Sequence, residues 1–223
     1  MEQGHKERLK AFGWHLWLGV FAVAFVVSSI APFNRLVWAL EVTPALIALG
    51  LLLLTRRIFP LTPLSYQLIL LFCLILMLGG HYSFSRVPLF DWLAAELDWQ
   101  RNHFDRLVHF LQGFVPAVAV REFVIRRQLI NGRFWQMLWV VAFCLAVSAG
   151  YELIEWRIAL LLDVEREVFL AEQGDVWDTQ ADMLMALLGA CAAMATLSRT
   201  QDRQITLLAS QPDLGGGQNV GKG

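Results

Sequence analysis

The stretch Glu152-Leu153-Ile154-Glu155 lies near one end of the run 134–157, which is otherwise apolar enough to cross a bilayer. Two acidic side chains three residues apart are costly there, because a charge in hydrocarbon costs at least about 2.5 kcal/mol. Ionisable residues at such depth normally face the interior of a helical bundle, where they have partners and a function. The stretch therefore predicts a membrane helix that carries a polar, functional face.

The composition of the whole chain indicates a membrane protein. Of its 223 residues, 57% are hydrophobic and only 17% are charged, whereas a soluble domain is nearer a quarter charged. The net charge of −1 provides no field that would attract nucleic acid, so we expect no nucleic-acid partner. The three cysteines lie far apart in apolar runs, which excludes a disulfide framework and a CxxC metal site.

Six apolar segments are long enough to span the membrane. They predict an all-α, polytopic helical bundle that forms a single transmembrane domain over residues 1–198. A disordered cytoplasmic tail is predicted at 199–223, where no periodicity is found. The first segment resembles a signal peptide, but it exceeds the usual core of about 7–15 residues, so we expect it to be retained. The predicted spans are 11–31, 36–54, 64–82, 104–120, 134–158 and 181–197.

The basic residues divide unequally between the two sides of a six-span bundle. Twelve fall on the side that holds both termini and six on the other. The positive-inside rule therefore places both termini in the cytoplasm. On that cytoplasmic side, Glu122 and Arg126 are four residues apart and predict an ion pair at the surface.

This topology brings ionisable residues of several spans to one depth, just below the outer surface. Three pairs have spacings that place both members on one helix face: Asp105 with His109, Glu152 with Glu155, and Asp178 with Asp182. If these faces point inward, they enclose carboxylates and an imidazole, with which helical bundles hold metal ions. Hard oxygen ligands with imidazole suit Mg, Mn, Fe or Zn.

Three overlapping sets of site residues follow from this pocket. The catalytic candidates are His109, Glu152, Glu155, Asp182, Asp105 and Asp178. A divalent metal of open identity is hypothesised on His109, Glu152, Glu155 and Asp182. Arg106 is expected to face a substrate anion. The other predicted substrate-binding residues are His81, Tyr82, Asn102, His103 and Asp175.

Structural explanations compete at each of these positions. Asp105 follows Asn102, and Asp178 follows Asp175, at the spacing of a capping box, so both are also explained as helix caps. His81, His103 and Tyr82, which lie near the membrane interface, are also typical of an aromatic belt. The deeper residues are alternatively explained by a structural network in which Arg106 and Arg157 neutralise the acids.

Four motifs occur in order along the chain: Gly80-His81-Tyr82-Ser83 with Val87-Pro88; Arg101-Asn102-His103-Phe104-Asp105-Arg106 with His109-Phe110 and Gln112-Gly113; Tyr151-Glu152-Leu153-Ile154-Glu155-Trp156; and Gln173-Gly174-Asp175-Val176-Trp177-Asp178 with Asp182-Met183. Together they resemble the YjdF-like family of bacterial inner-membrane proteins, a domain of unknown function. The resemblance covers about residues 10–198. It implies a multi-pass protein of the bacterial inner (plasma) membrane and brings no established activity.

A looser resemblance rests on Asp105-Arg106-Leu107-Val108-His109, the Glu-bearing helix and the Asp-rich start of the last span. This order resembles VanZ-like membrane proteins, with Arg106 in place of the usual lysine. Asp175-Val176-Trp177-Asp178 stands where an Arg–Asp pairing is expected. The resemblance implies a related fold, and an activity does not follow from a fold.

Three functions are consistent with the pocket. A metal-dependent enzyme would act on a lipid or cell-envelope substrate at the outer leaflet. A proton- or cation-coupled small transporter would use the same carboxylates, although six spans without an inverted repeat are few for a carrier. A non-catalytic scaffold or envelope-stress accessory would need the cluster only to order the bundle. Membrane lipids are the expected partners, and a homodimer is a further expectation.

Overall fold

The structure, a computed structural model, describes residues 2–162 and 169–210, with side chains described for 13–161 and 169–210. Within these ranges every regular element is helical, and no strand occurs. A short 3₁₀ turn, Phe84–Arg86, follows the third helix. The α-helices are α1 (Glu2–Ser29), α2 (Arg35–Thr55), α3 (Pro63–Tyr82), α4 (Pro88–Glu96), α5 (Phe104–Arg126), α6 (Arg133–Leu162) and α7 (Asp178–Ala209).

Five of the helices, α2, α3, α5, α6 and α7, are long and apolar enough to cross a membrane. The apolar part of α1 with described side chains, Gly13–Ser29, is shorter. The predicted polytopic, all-α membrane fold is thus confirmed. Helix α4 was not among the predicted elements. It begins with Pro88 at its first turn, a position that proline favours because its missing N–H is not needed there.

The centre of the bundle is the crossing of α5 and α7, whose backbones touch. A Cβ atom added at Gly113 would overlap the Ala186 carbonyl, and one added at Gly189 would overlap the Phe110 carbonyl. Small residues at such a crossing let two membrane helices approach closely. Helices α3 and α6 pack against this pair, and α1 and α2 pack on α3.

The bundle has a polar region at each of its two ends. We call the end where α2, α5 and α7 begin the outer end, because the charge asymmetry of the sequence assigns it to the periplasm. At the other, inner end, α3 begins while α5 and α7 finish. The His81 main-chain carbonyl at the end of α3 accepts a hydrogen bond from Phe33 N (2.8 Å), which fixes α3 beside the start of α2.

The last helix is longer than the sequence analysis predicts. Disorder was expected from residue 199, whereas α7 continues to Ala209, so the prediction is wrong for 199–209. Arg121 stabilises this extension through Nη1 to Gln201 Oε1 (2.8 Å) and Nη2 to Asp202 Oδ1 (2.6 Å). Because the extension is held by polar contacts, hydropathy did not reveal it. The remainder of the predicted tail, 211–223, lies outside the described residues.

The predicted surface pair of Glu122 and Arg126 exists, but Glu122 is 0% exposed. Its carboxylate accepts hydrogen bonds from Thr62 N (2.8 Å), Thr62 Oγ1 (2.8 Å), Ser65 Oγ (2.7 Å) and Arg126 Nη1 (2.8 Å). The expectation of a surface position is therefore wrong. Its partners Thr62 and Ser65 lie far away in sequence, where helical spacing gives no signal. We call these four residues the Glu122 network.

Candidate functional site

At the outer end, side chains from four helices meet around one imidazole. We call them the His109 cluster: Glu41 of α2, Asp105 and His109 of α5, Tyr151, Glu152 and Glu155 of α6, and Asp182 of α7. Their helical spacings place each pair on an inward face, as the sequence analysis expects. Glu41 is the exception, since no partner at helical spacing drew attention to it.

His109 is buried and has an acidic residue beside each ring nitrogen. Its Nε2 lies 3.4 Å from Asp105 Oδ1 and its Nδ1 lies 3.5 Å from Glu152 Oε1. Nδ1 also lies 2.9 Å from Gln112 Oε1, one turn further along α5. The Tyr151 ring meets the imidazole edge-on, with 6.4 Å between the centroids.

Two sets of three side chains are close enough to share one metal ion. The first is Asp105, His109 and Asp182, and the second is His109, Glu152 and Glu155. In each set, one ligand atom from every residue lies within 4.8 Å of the others. Of the four residues hypothesised as metal ligands, His109 belongs to both sets, Asp182 to the first, and Glu152 and Glu155 to the second. Asp105, which was not among the four, belongs to the first set.

Several carboxylate oxygens in the cluster lack a hydrogen bond. Glu41 is 1% exposed, yet neither of its oxygens forms a hydrogen bond of normal geometry with a described residue. The Phe84 backbone N–H lies near this carboxylate, and Asp105 and Glu155 are its acidic neighbours. Asp105 Oδ2 and Glu152 Oε1 are likewise without a partner in the described part of the chain. Buried polar atoms are normally paired, so these oxygens need an explanation.

Glu41 is not among the predicted site residues, although the sequence contains a signal for it. It is the single acidic residue inside the predicted second span, and an isolated acid in a membrane helix is by itself a functional candidate. Its membership of the cluster depends on the packing of α2 against α3, which no local pattern reveals.

Two arginines neutralise only part of the negative charge at this end. Arg106 contacts Asp182 Oδ1 through Nη1 (2.7 Å), and its Nη2 contacts Asp178 Oδ1 (2.7 Å) and Asp175 Oδ2 (3.0 Å). Arg101 Nη1 contacts Asp178 Oδ1 at 2.6 Å. The predicted neutralising network is therefore present for Arg106. Arg157 does not belong to it, because Arg157 is exposed and pairs with no residue that the structure describes.

The count of charges leaves an excess of acid. Six buried or nearly buried carboxyl groups lie here, against two guanidinium groups, those of Arg101 and Arg106, and the one imidazole of His109. The six are Glu41, Asp105, Glu152, Glu155, Asp178 and Asp182. Such an excess is costly in a low-dielectric interior unless protons or bound cations offset it.

The predicted substrate-binding residues do not form one group. Both terminal nitrogens of the Arg106 guanidinium contact the three aspartates named above. His81 lies against α1, with Nδ1 3.1 Å from Ser28 O, and its ring meets Tyr82 edge-on. His81 therefore contacts α1 and Tyr82, and the structure does not bring these two residues into the His109 cluster.

Asn102 uses its polar groups within the protein. Its Oδ1 accepts from Phe104 N (3.0 Å), its Nδ2 donates to Asp91 Oδ1 (2.7 Å), and its backbone N–H donates to Gln173 Oε1 (2.8 Å). It thus helps to start α5, which agrees with the competing structural explanation, although the capping box with Asp105 is not formed.

The last two predicted substrate-binding residues lie in the loops outside the spans. Partial burial, with the nearby Arg101 and Arg106 guanidinium groups, lowers the pKa of His103 below its ordinary value. Its ring lies edge-on to Trp99 (5.0 Å between centroids). The Trp177 backbone N–H, with the two arginines, lowers the pKa of Asp175. Both residues therefore lie near the Arg101 and Arg106 guanidinium groups, in the loops at the outer end of the bundle.

Comparison with known proteins identifies the family. A family model described as "Predicted membrane protein (DUF2238)" matches residues 14–203. The inner membrane protein YjdF of Escherichia coli (strain K12) is 44% identical over 180 residues, which cover 81% of this chain and 86% of that protein. No solved structure matches the chain significantly. The resemblance to the YjdF-like family and the inner-membrane location are thus confirmed, and the VanZ-like resemblance stays a prediction. The chain belongs to the DUF2238 family of predicted membrane proteins.

Proposed function

We propose that this inner-membrane protein is a metal-dependent enzyme that acts on a lipid or cell-envelope substrate at the periplasmic face. The observation that carries the proposal is the His109 cluster, in which buried carboxylates exceed their cationic partners and three of them keep unpaired oxygens. A divalent cation would offset this charge and would use those oxygens. Carboxylates with an imidazole are the donors that such ions take in helical bundles.

The depth of the cluster favours a substrate in the outer leaflet. Asp105 lies in the first turn of α5, Asp182 lies one turn inside α7, and the Glu152 side chain is only 10% exposed. The cluster is therefore shielded from bulk water yet close to the outer surface. A bound cation in such a place would polarise a carbonyl or phosphoryl oxygen, or activate a water molecule. Glutamates that do not ligate it would carry protons in general acid–base steps.

The metal content of the full-length protein tests this proposal. We expect elemental analysis of detergent-purified protein to find one divalent cation per chain, lost in His109→Ala. The controls His81→Ala and Glu96→Gln, whose side chains lie outside the cluster, should keep it. If the wild type purified from metal-replete cells binds no stoichiometric cation, the proposal fails. Incubation with extracted membrane lipids, analysed by mass spectrometry, should give products that His109→Ala does not form.

A proton- or cation-coupled transporter is the second candidate, and Glu41 favours it. A carboxyl group that is 1% exposed and without a hydrogen bond in the described structure is typical of proton-carrying residues in membrane helices. Flux of protons or monovalent cations in proteoliposomes, abolished by Glu41→Gln and unaffected by Glu96→Gln, would establish this function. Lipid turnover without any such flux would exclude it.

A further inference from the structure

The His109 cluster offers two overlapping cation sites, and the geometry distinguishes between them. Given the cation binding proposed above, we propose that the ion is held by Asp105, Asp182 and Nε2 of His109, and that Gln112 is the positioning residue that makes this nitrogen available. Glu152 and Glu155 are then not ligands. This set differs from the one hypothesised from the sequence, which included both glutamates.

Gln112 occupies the other nitrogen of the imidazole. Its Oε1 lies 2.9 Å from His109 Nδ1. As the donor to this oxygen, Nδ1 carries the ring proton, so the lone pair of the neutral imidazole lies on Nε2. A cation on Nδ1 would have to break this bond. Nε2 has only the looser 3.4 Å contact to Asp105, so it is the nitrogen free to bind.

The hydrogen bond between His109 and Gln112 resembles the one that orients histidine ligands in metal sites. Histidines that bind metals almost always donate their second N–H to an oxygen acceptor, which fixes the tautomer and the ring orientation. Gln112 Oε1 is such an acceptor for His109 Nδ1–H. Because the two residues are three positions apart on α5, the support belongs to the same rigid element as the ligand.

Asp105 and Asp182, the two carboxylates grouped with His109 in the first set, complete the site. Asp105 is 3% exposed and its Oδ2 has no hydrogen bond among the described residues. Arg101 Nη2 lies 3.9 Å from this oxygen. Asp182 is oriented by Arg106, 2.7 Å from its Oδ1. Two carboxylates and one imidazole leave further coordination positions for water or substrate, as in catalytic metal sites.

Glu152 and Glu155, grouped with His109 in the second set, then have a different task. Glu152 Oε1 lies 3.5 Å from Nδ1 without a hydrogen bond, and Glu155 follows one turn later on the same face of α6. Outside the coordination sphere, both carboxylates stay available to move protons. Ligands are thus supplied by α5 and α7, and proton-transfer groups by α6.

Titration of the apo full-length protein in detergent with Co²⁺ tests this division. We expect Asp105→Asn and Asp182→Asn to weaken Co²⁺ binding on the order of 100-fold or more, and Glu152→Gln and Glu155→Gln to weaken it by less than about 10-fold. Gln112→Leu should weaken binding about 10- to 100-fold. Gln112→Glu, which keeps an oxygen acceptor, should restore affinity and the Co²⁺ absorption spectrum.

A second measurement uses the wild type alone, so it does not depend on the folding of variants. Pulsed electron paramagnetic resonance of Mn²⁺-loaded protein, with ¹⁵N placed at one histidine nitrogen at a time, should show the strong coupling from Nε2. Strong coupling from Nδ1, or loss of Co²⁺ in the Glu155→Gln variant but not in Asp105→Asn, would overturn the division while cation binding itself stands. Absence of any cation in the wild type would instead remove the proposed function.

Discussion

Buried carboxylates lie near both ends of α5, and the two ends differ in how completely these groups are hydrogen-bonded. At the inner end, both oxygens of Glu122 accept hydrogen bonds from backbone, hydroxyl and guanidinium donors. At the outer end, Asp105 Oδ2 and both oxygens of Glu41 have no hydrogen bond within the described ranges. A buried charge with all partners present holds a fold together. A buried carboxyl group without such partners contributes no comparable network to the fold.

The difference gives opposite expectations for the same chemical change. Removing a fully paired buried charge leaves its partners unsatisfied, which is destabilising. Removing an unpaired one relieves a desolvation cost. The stability of variants therefore separates structural from functional acids in this protein, even before a substrate is known.

The largest effect is expected for Glu122→Ala. Without the carboxylate, Thr62 N–H, two hydroxyl groups and Arg126 lose their partner, and breaking a buried pair costs about 3–5 kcal/mol. Unfolding of the purified protein in mixed micelles by sodium dodecyl sulfate would measure the loss. The exposed Glu96→Ala change serves as control. A loss for Glu122→Ala no greater than for this control would show that the network is not structural.

The next effect concerns the crossing that links the two ends, and is expected for Gly113→Ala. The added Cβ would meet the Ala186 carbonyl, so that α5 and α7 must separate at a cost of about 3 kcal/mol. Gly150→Ala on α6 is the matched control, because a Cβ there meets nothing within 4 Å; we expect it to change stability by less than about 1 kcal/mol. Equal effects of the two changes would contradict the backbone contact.

A smaller effect, of opposite sign, is expected for Glu41→Gln in metal-free protein. The amide is nearly isosteric but uncharged, so the free energy of unfolding should stay the same or rise by about 1 kcal/mol. Glu122→Gln is the control and should be clearly destabilised. A strong destabilisation by Glu41→Gln would mean that Glu41 has a structural partner, and would weaken the contrast between the two regions.

The smallest effect is expected for Asp175→Asn, at the mouth of the cluster. The pKa of Asp175 is lowered in the folded protein by the Trp177 N–H and the arginines, so its contribution is complete above the ordinary value of 3.8 and is lost as the pH falls through the lowered pKa. Unfolding at several pH values should show wild type slightly more stable than the variant at pH 7 and the two alike in strong acid. High salt should reduce the difference. A difference that grows in acid would reverse the sign and contradict this.

The fold was largely predictable because hydropathy and helical spacing are local properties of the sequence. The approach of Asp105, His109 and Glu152 followed from topology and from i, i+3 and i, i+4 spacing. The roles assigned to these residues stay predictions. Partners distant in sequence could not be predicted, as Arg106 shows by pairing with carboxylates 69 to 76 residues later. Glu41 was missed for the same reason, since its acidic neighbours lie on other helices.

The errors at the inner end have a related cause. Arg126 lies four residues after Glu122 and was found by spacing, whereas Thr62 and Ser65, which bury the carboxylate, begin α3 some 60 and 57 residues earlier. The extension of α7 was hidden because Gln201 and Asp202 are polar. A polar segment after a membrane span predicts disorder when its partners are unknown. A partner such as Arg121 makes the same segment compatible with a packed helix.

The backbone contact at Gly113 and Gly189 also determines how the outer end can move. Helices whose main chains touch cannot slide past each other, so α5 and α7 hold Asp105, His109 and Asp182 at fixed separations. Glu152 and Glu155 are carried by α6, which packs on this pair, and no close backbone contact of the kind at Gly113 is found at its Gly150. A molecule as large as a lipid headgroup would therefore enter by displacement of α6, while the three residues on the fixed pair keep their geometry.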